Sequence, residues 1–133
     1  MPIHTKRWND PLSPDDGTRI LICRYRPRSV RKGDENWDER QSNLGPSRVL
    51  HAAFWGKHGN PIGATEYTKR YFAEMKSQRD AINALAVRVA SGEVITLLCS
   101  SACVDTGRCH RIILRALVER GMRLQLSPPI DSK

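Results

Sequence analysis

No run of apolar residues in this 133-residue chain approaches the roughly 18 needed to cross a bilayer. No apolar segment follows the charges of residues 1–8, so a secretory leader is not expected there. Cysteine is scarce. Cys23, Cys99, Cys103 and Cys109 are too few and too irregular for a disulfide scaffold, and the expectation is reduced thiols in a soluble cytoplasmic protein. The chain also lacks a Walker loop, a GxGxxG turn, an HExxH pair, a paired-carboxylate site and a helix-turn-helix signature, and no cofactor is expected. Internal repeats and low-complexity segments are absent.

Acidic residues are in deficit: 14 Asp and Glu stand against 22 Lys and Arg, a net charge of +8. Such a surplus favours anionic partners, a small molecule or a nucleic acid, without saying which. Its distribution says more. Between Arg19 and Lys32 lie six basic residues (Arg19, Arg24, Arg26, Arg28, Arg31, Lys32) and no acidic one. The sign then reverses through Asp34, Glu35, Asp38 and Glu39. A second basic group, Arg108, Arg111, Arg115, Arg120 and Arg123, comes late in the chain.

Hydrophobic residues at 39% and charged residues at 27% suit a packed domain, and the length suits a single one, 1–133. Residues 9–17 carry turn chemistry, with two prolines and a closing glycine. Thr18 to Cys23 reads as a short buried strand. Residues 33–64 show no sustained period and read as an irregular segment of the kind that forms binding loops. Within it Pro46 can open a short helix through His51, and Trp37, Phe54 and Trp55 pin the segment to the body. Thr65 is placed as the N-cap of a long helical region reaching Ala90, with a break near Ser77. Val94 to Cys99 is a continuous apolar run, expected of a strand covered on both faces. A polar loop, 100–107, leads to a helix over 108–120. The alternation Met122-Arg-Leu-Gln-Leu126 reads as a final strand, and 127–133 as a flexible tail. The sum is an α/β domain: a small, mainly parallel sheet with helices packed on it.

In such sheets ligands sit beyond the carboxyl ends of the strands. Here those ends lead into residues 24–32 and 99–111, which open on one edge if the two strands are neighbours. In the first segment Pro27 stiffens the backbone and holds Arg26 extended, so Arg24, Arg26 and Arg28 lose little freedom on clamping a phosphate or carboxylate. The plainer reading is a solvated basic loop paired with the acidic 34–39 stretch. In the second, backbone N–H groups at a helix start and the hydroxyls of Ser100 and Ser101 suit an anion. Arg108 and Arg111 fall in the first turn, where the helix dipole disfavours them unless an anion binds. A helical projection equally puts Arg108, Arg111 and Arg115 on an ordinary solvent face, and His110 on the inward side as a packing residue or a general base.

Cys99, Cys103, Cys109 and His110 are zinc-ligand types, but the spacing lacks a CxxC knuckle and neighbouring ligands rarely share one ion, so no metal site is assigned. Cys103-Val-Asp-Thr-Gly-Arg108 superficially resembles the anion loops of cysteine phosphatases and rhodaneses, with Cys103 as nucleophile and Arg108 on the oxyanion. It has four residues between cysteine and arginine where the phosphatase loop has five. Cys99 and Cys109 read as small core residues. Tyr25, Tyr67 and the tryptophans suit either base stacking or core burial.

Thr5-Lys-Arg-Trp8, Pro14-Asp-Asp-Gly17, Arg24-Tyr-Arg-Pro-Arg28 and Leu97-Leu-Cys99 through Cys109-His-Arg111 together resemble, in order and spacing, the bacterial family called domain of unknown function 488. The resemblance covers nearly the whole chain. It implies a compact single-domain α/β protein of the cytoplasm with its site at Arg24, Pro27, Arg28, Cys109, His110 and Arg111. The family pattern has aspartate where Cys23 stands and glycine where Ser29 stands, which removes a carboxylate from the first loop. The expected function is binding of a phosphate-bearing ligand (a nucleotide, a small phosphate compound or a nucleic acid) between the two basic segments. A cysteine-dependent enzyme using Cys103 and a small partner-binding protein are the alternatives.

Overall fold

The computed structural model describes residues 3–28, 30–56, 59–100 and 110–126. Four strands form one sheet: β1 (Ile3–Arg7), β2 (Thr18–Leu21), β3 (Glu39–Arg40) and β4 (Ile95–Cys99). Their order is β1-β4-β2-β3 and every pairing is parallel. β4 therefore lies inside the sheet, with Ile95–Cys99 against Ile3–Arg7 on one side and Ile95–Leu98 against Thr18–Leu21 on the other. All five of its residues are buried, as the unbroken apolar run predicts. Parallel neighbours need long crossovers. The connection from β2 to β4 carries three helices, α1 (Arg48–Trp55), α2 (Ala64–Met75) and α3 (Arg79–Ala90), and α4 (His110–Leu126) follows β4.

The two faces of the sheet are covered differently. Ile3, Ile20, Ile22, Ile95 and Leu97 share one cluster with Tyr67, Tyr71, Leu85, Val89, Leu114 and Val118, so the helices lie on that face. Leu21 and Leu98, one residue out of phase, join Cys23, Cys99, Trp8 and Trp37 in a second cluster. Trp8 and Trp37 meet edge-on, their ring centres 6.5 Å apart. No helix covers this second face among the described residues; the turn before β2 and the segment before β3 do. A buried ionic network stands beside the cluster. Asp16 pairs with Arg19 and, at 2.7 Å, with Lys6. Arg19 Nε also donates to the Asn36 carbonyl at 2.8 Å. Ser13 and Asp16 cap the turn Pro14–Asp16 reciprocally, which fixes the carboxylate before β2 begins. Burial pushes the Asp16 carboxyl up, and hydrogen bonds from Lys6, the Ser13 N–H and Arg19 outweigh it, holding the group below the ordinary aspartate range.

The helical region breaks where expected: a 3-10 turn at Lys76–Gln78 separates α2 from α3. Three other expectations are corrected. α2 starts after Gly63 with no side-chain cap, so Thr65 is an ordinary first-turn residue. The 33–64 segment is not wholly irregular, since it holds β3, a 3-10 turn (Ser42–Leu44) and α1. Ser47 caps α1 by accepting from the Leu50 N–H at 3.1 Å, and Glu74 accepts from the Ser47 N–H at 2.8 Å, which ties α1 to α2. Residues 122–126 form no strand but extend α4 to Leu126. The reason is the stripe Leu114, Val118, Met122, spaced by four and buried throughout, which outcompetes the short alternation. Leu124 is 68% exposed. Gly121 sits inside α4 because α3 passes close by: a Cβ there would lie 2.9 Å from Ala86 Cβ.

Candidate functional site

β2 and β4 are hydrogen-bonded neighbours running in the same direction, so their carboxyl ends leave the sheet side by side. The ladder continues one residue further, with the Ile22 N–H donating to the Leu98 carbonyl at 2.9 Å. Beyond this point the chains part and a cleft of about 100 Å³ opens. Cys23, Arg24 and Tyr25 line it from the β2 side, Ser100 and His110 from the β4 side. The remaining walls are Pro46, His51, Phe54, Trp55 and Tyr67. No acidic residue is among these described lining residues.

Two contacts hold the β2 side in place. Gly45 is pressed against residues 22–24: a Cβ there would sit 2.6 Å from the Arg24 nitrogen and 2.9 Å from the Ile22 carbonyl oxygen. Preceding it, the Leu44 carbonyl accepts from the buried Tyr71 hydroxyl at 2.7 Å, which anchors the turn to α2. From the other side, His110 at the described start of α4 is buried and its Nε2 lies 3.0 Å from the Ile22 carbonyl oxygen. A carbonyl only accepts, so Nε2 is the donor in this contact. His110 thus bridges the two strand ends while lining the cleft, its ring 5.7 Å from that of Tyr71.

Of the residues singled out in the sequence, Arg24, Ser100 and His110 come together here. Arg26 does not. Its Nε donates to Glu35 at 2.8 Å and its Nη1 to the Val30 carbonyl at 2.7 Å, while its guanidinium carbon stands 5.6 Å from the Trp37 ring centre. This is the pairing of the basic run with the acidic 34–39 stretch. Arg19 likewise belongs to the buried Asp16 network. Arg28 is exposed and lies outside the cleft lining. Arg111 departs from its expected solvent face: it is only 6% exposed, and its Nη1 donates to the Cys99 sulfur at 3.3 Å. Its charge also reaches Asp10, whose carboxyl is held below the ordinary range first by the Arg7 backbone N–H and then by the Arg7 side chain and Arg111. Ser101, Cys103, Arg108 and Cys109 lie outside the described residues.

What the sequence does not show is that the aromatics it offers, Tyr25, Phe54, Trp55 and Tyr67, meet in one wall with His51. His51, Phe54 and Trp55 sit at i, i+3 and i+4 of α1, a spacing that puts them on one side of a helix. The Tyr25 ring meets His51 at 5.0 Å, and His51 meets Trp55 at 6.4 Å. Phe54 packs on Tyr67 at 4.6 Å. A larger, shallower groove of about 610 Å³ runs between α2, α3 and α4, remote from the strand ends; its described walls include Phe72, Met75, Lys76, Arg79, Leu117 and Arg120.

A small all-parallel sheet with helices packed on it, and a cleft over the carboxyl ends of two adjacent strands, defines an α/β domain. The chain belongs to the DUF488 family: residues 3–121 match the description "Active DUF488-N3 subclade". It is similar to the uncharacterized protein YeaO of Escherichia coli K12, 33% identical over 114 residues that cover 86% of this chain and 94% of the relative. It is also similar to the uncharacterized proteins Rv3073c of Mycobacterium tuberculosis and Mb3100c of Mycobacterium bovis, each 26% identical over 117 residues, or 87% of this chain and 92% of the relative. No solved structure matches. No helix among the described residues is long and apolar enough to cross a membrane.

Proposed function

We propose that this protein binds a small phosphate-bearing ligand in the cleft at the carboxyl ends of β2 and β4. The observation that carries the reading is the meeting of Arg24, Ser100 and His110 from two separate strand ends around one recess whose described lining holds no carboxylate. Among the described residues no acid forms an ion pair with Arg24, whereas Arg7, Arg19, Arg26, Arg70 and Arg88 each have one. A guanidinium beside a hydroxyl suits a phosphoryl group, which takes charge-assisted hydrogen bonds from planar, preoriented donors. The recess is below the roughly 300–1,000 Å³ of pockets that enclose a whole drug-sized molecule, so it suits a phosphoryl group and its nearest atoms. The basic surplus of the chain brings anions to the site.

The test is thermal unfolding with phosphate, sulfate, sugar phosphates and short oligonucleotides at two salt concentrations, on the wild type and on Arg24→Ala. A ligand at 100 times its dissociation constant adds about 2.7 kcal/mol, a shift of several degrees. The expected result is stabilisation by a small phosphate compound that Arg24→Ala abolishes. Stabilisation by oligonucleotides alone, lost in salt, moves the assignment to nucleic acid. No response to any anion refutes the reading.

A further inference from the structure

Resting on the reading of the cleft as a phosphoryl site, we infer that the ligand is a nucleotide: its phosphate enters the recess and its base stacks on the rim formed by Tyr25 and Trp55. Size gives the first reason. A recess of about 100 Å³ holds only one end of a ligand, and the remainder must lie along whatever surface borders the opening. What borders it is aromatic. Tyr25 is 46% exposed and Trp55 45% exposed, and both belong to the cleft lining.

Aromatic side chains of this size normally gain stability by burying their rings. These two are held partly in solvent while the neighbouring rings are packed. Tyr67 is buried, and Phe54 packs on it at 4.6 Å. Between the two exposed rings stands His51, 5.0 Å from Tyr25 and 6.4 Å from Trp55. The result is a continuous aromatic border, fixed from behind by α1 and α2, with the cationic recess at its foot. A sugar phosphate would use the recess and leave this border unused. A base attached through its sugar to the same phosphate would use both, and stacking on Tyr or Trp tolerates any base because each has a π face.

Titration calorimetry of the wild-type chain with AMP, ribose 5-phosphate and adenosine separates the contributions, alongside Tyr25→Ala combined with Trp55→Ala. Far-UV circular dichroism checks that the variant is folded, and Trp55→Ala alone serves if the double variant is not. The inference expects AMP to bind about tenfold or more tightly than ribose 5-phosphate. It also expects the variant to weaken AMP selectively, bringing it close to the level of ribose 5-phosphate. Equal binding of AMP and ribose 5-phosphate by the wild type overturns the base site and leaves the phosphoryl site standing. A variant that weakens both ligands alike overturns it too, since the rings would then shape the recess. If neither phosphate compound binds, the reading of the cleft itself has failed.

Discussion

Replacing Asp16 by alanine tests whether the second face of the sheet, where Trp8 and Trp37 pack, is held by its ionic network. Asp16 and Arg19 are each 4% exposed, so the pair is desolvated. The carboxylate accepts from Arg19, from Lys6 at 2.7 Å and from the Ser13 N–H at 3.1 Å. Removing one partner of a buried pair costs about 3–5 kcal/mol, because the other charge is left uncompensated. Here Arg19 keeps the Asn36 carbonyl at 2.8 Å and the Trp8 carbonyl at 3.3 Å, and Lys6 can turn toward water. The loss therefore falls at the lower end, about 3 kcal/mol, equivalent to about 10 °C in a domain of this size. Equilibrium urea unfolding followed by circular dichroism measures it. The double change Asp16→Leu with Arg19→Met should recover most of the loss, since an apolar pair of similar volume is close to neutral. A single-variant loss below about 1 kcal/mol would refute the reasoning, as would a double variant less stable than the single one.

Three further outcomes follow from the same structure. Gly45→Ala drives a Cβ into the Arg24 nitrogen and the Ile22 carbonyl, so it should cost about 1–3 kcal/mol and weaken phosphate binding together; unchanged stability and affinity would contradict the tight approach. Arg111→Met removes a buried guanidinium that forms no ion pair with a carboxylate among the described residues, and urea unfolding should show stability unchanged or higher, with a loss of about 2 kcal/mol counting against this. Stability should also fall on acidification. Arg88 hydrogen bonds hold Glu39 and Glu93 below 4.5, and Asp10 and Asp16 titrate below 3.8. The unfolded chain takes up these protons first, so the contribution is complete above about pH 5 and is lost as pH falls through the folded values. A melting temperature that holds steady from pH 6 to pH 2 would contradict it.

The parts of the fold legible in the sequence are those whose burial leaves a pattern. β4 announces itself because both its faces and both its edges are covered, and α2, the break and α3 follow from a helical stripe reaching Ala90. β1 is illegible for the converse reason: Ile-His-Thr-Lys-Arg has one apolar residue, because an edge strand can be held by its main-chain ladder and the apolar side chains of its neighbour. β3 is two residues long and leaves no periodicity. The false strand at 122–126 shows how a five-residue alternation mimics a strand when the preceding helix's four-residue stripe is not carried forward.

The candidate site is half legible in the sequence. Arg24, Ser100 and His110 follow from the rule that ligands sit beyond strand ends, once β2 and β4 are neighbours. Strand order settles that, and strand order is a tertiary property. Arg26 looked equivalent to Arg24 because alternation says nothing about which arginine meets Glu35. Arg111 looked exposed because a helical projection carries no knowledge of the strand end and sulfur atom waiting behind it. The α1 part of the aromatic wall falls within 33–64, where no sustained period shows, although His51, Phe54 and Trp55 have helical spacing.

The central claim, that the strand-end cleft is a phosphoryl site, is tested most directly by titrating inorganic phosphate into nitrogen-15-labelled protein and following backbone amide resonances. The account predicts saturable shifts concentrated at Arg24, Tyr25, Ser100 and His110, lost in Arg24→Ala. Shifts that fail to saturate, or that gather instead along Lys76, Arg79 and Arg120 in the α2–α4 groove, would contradict it.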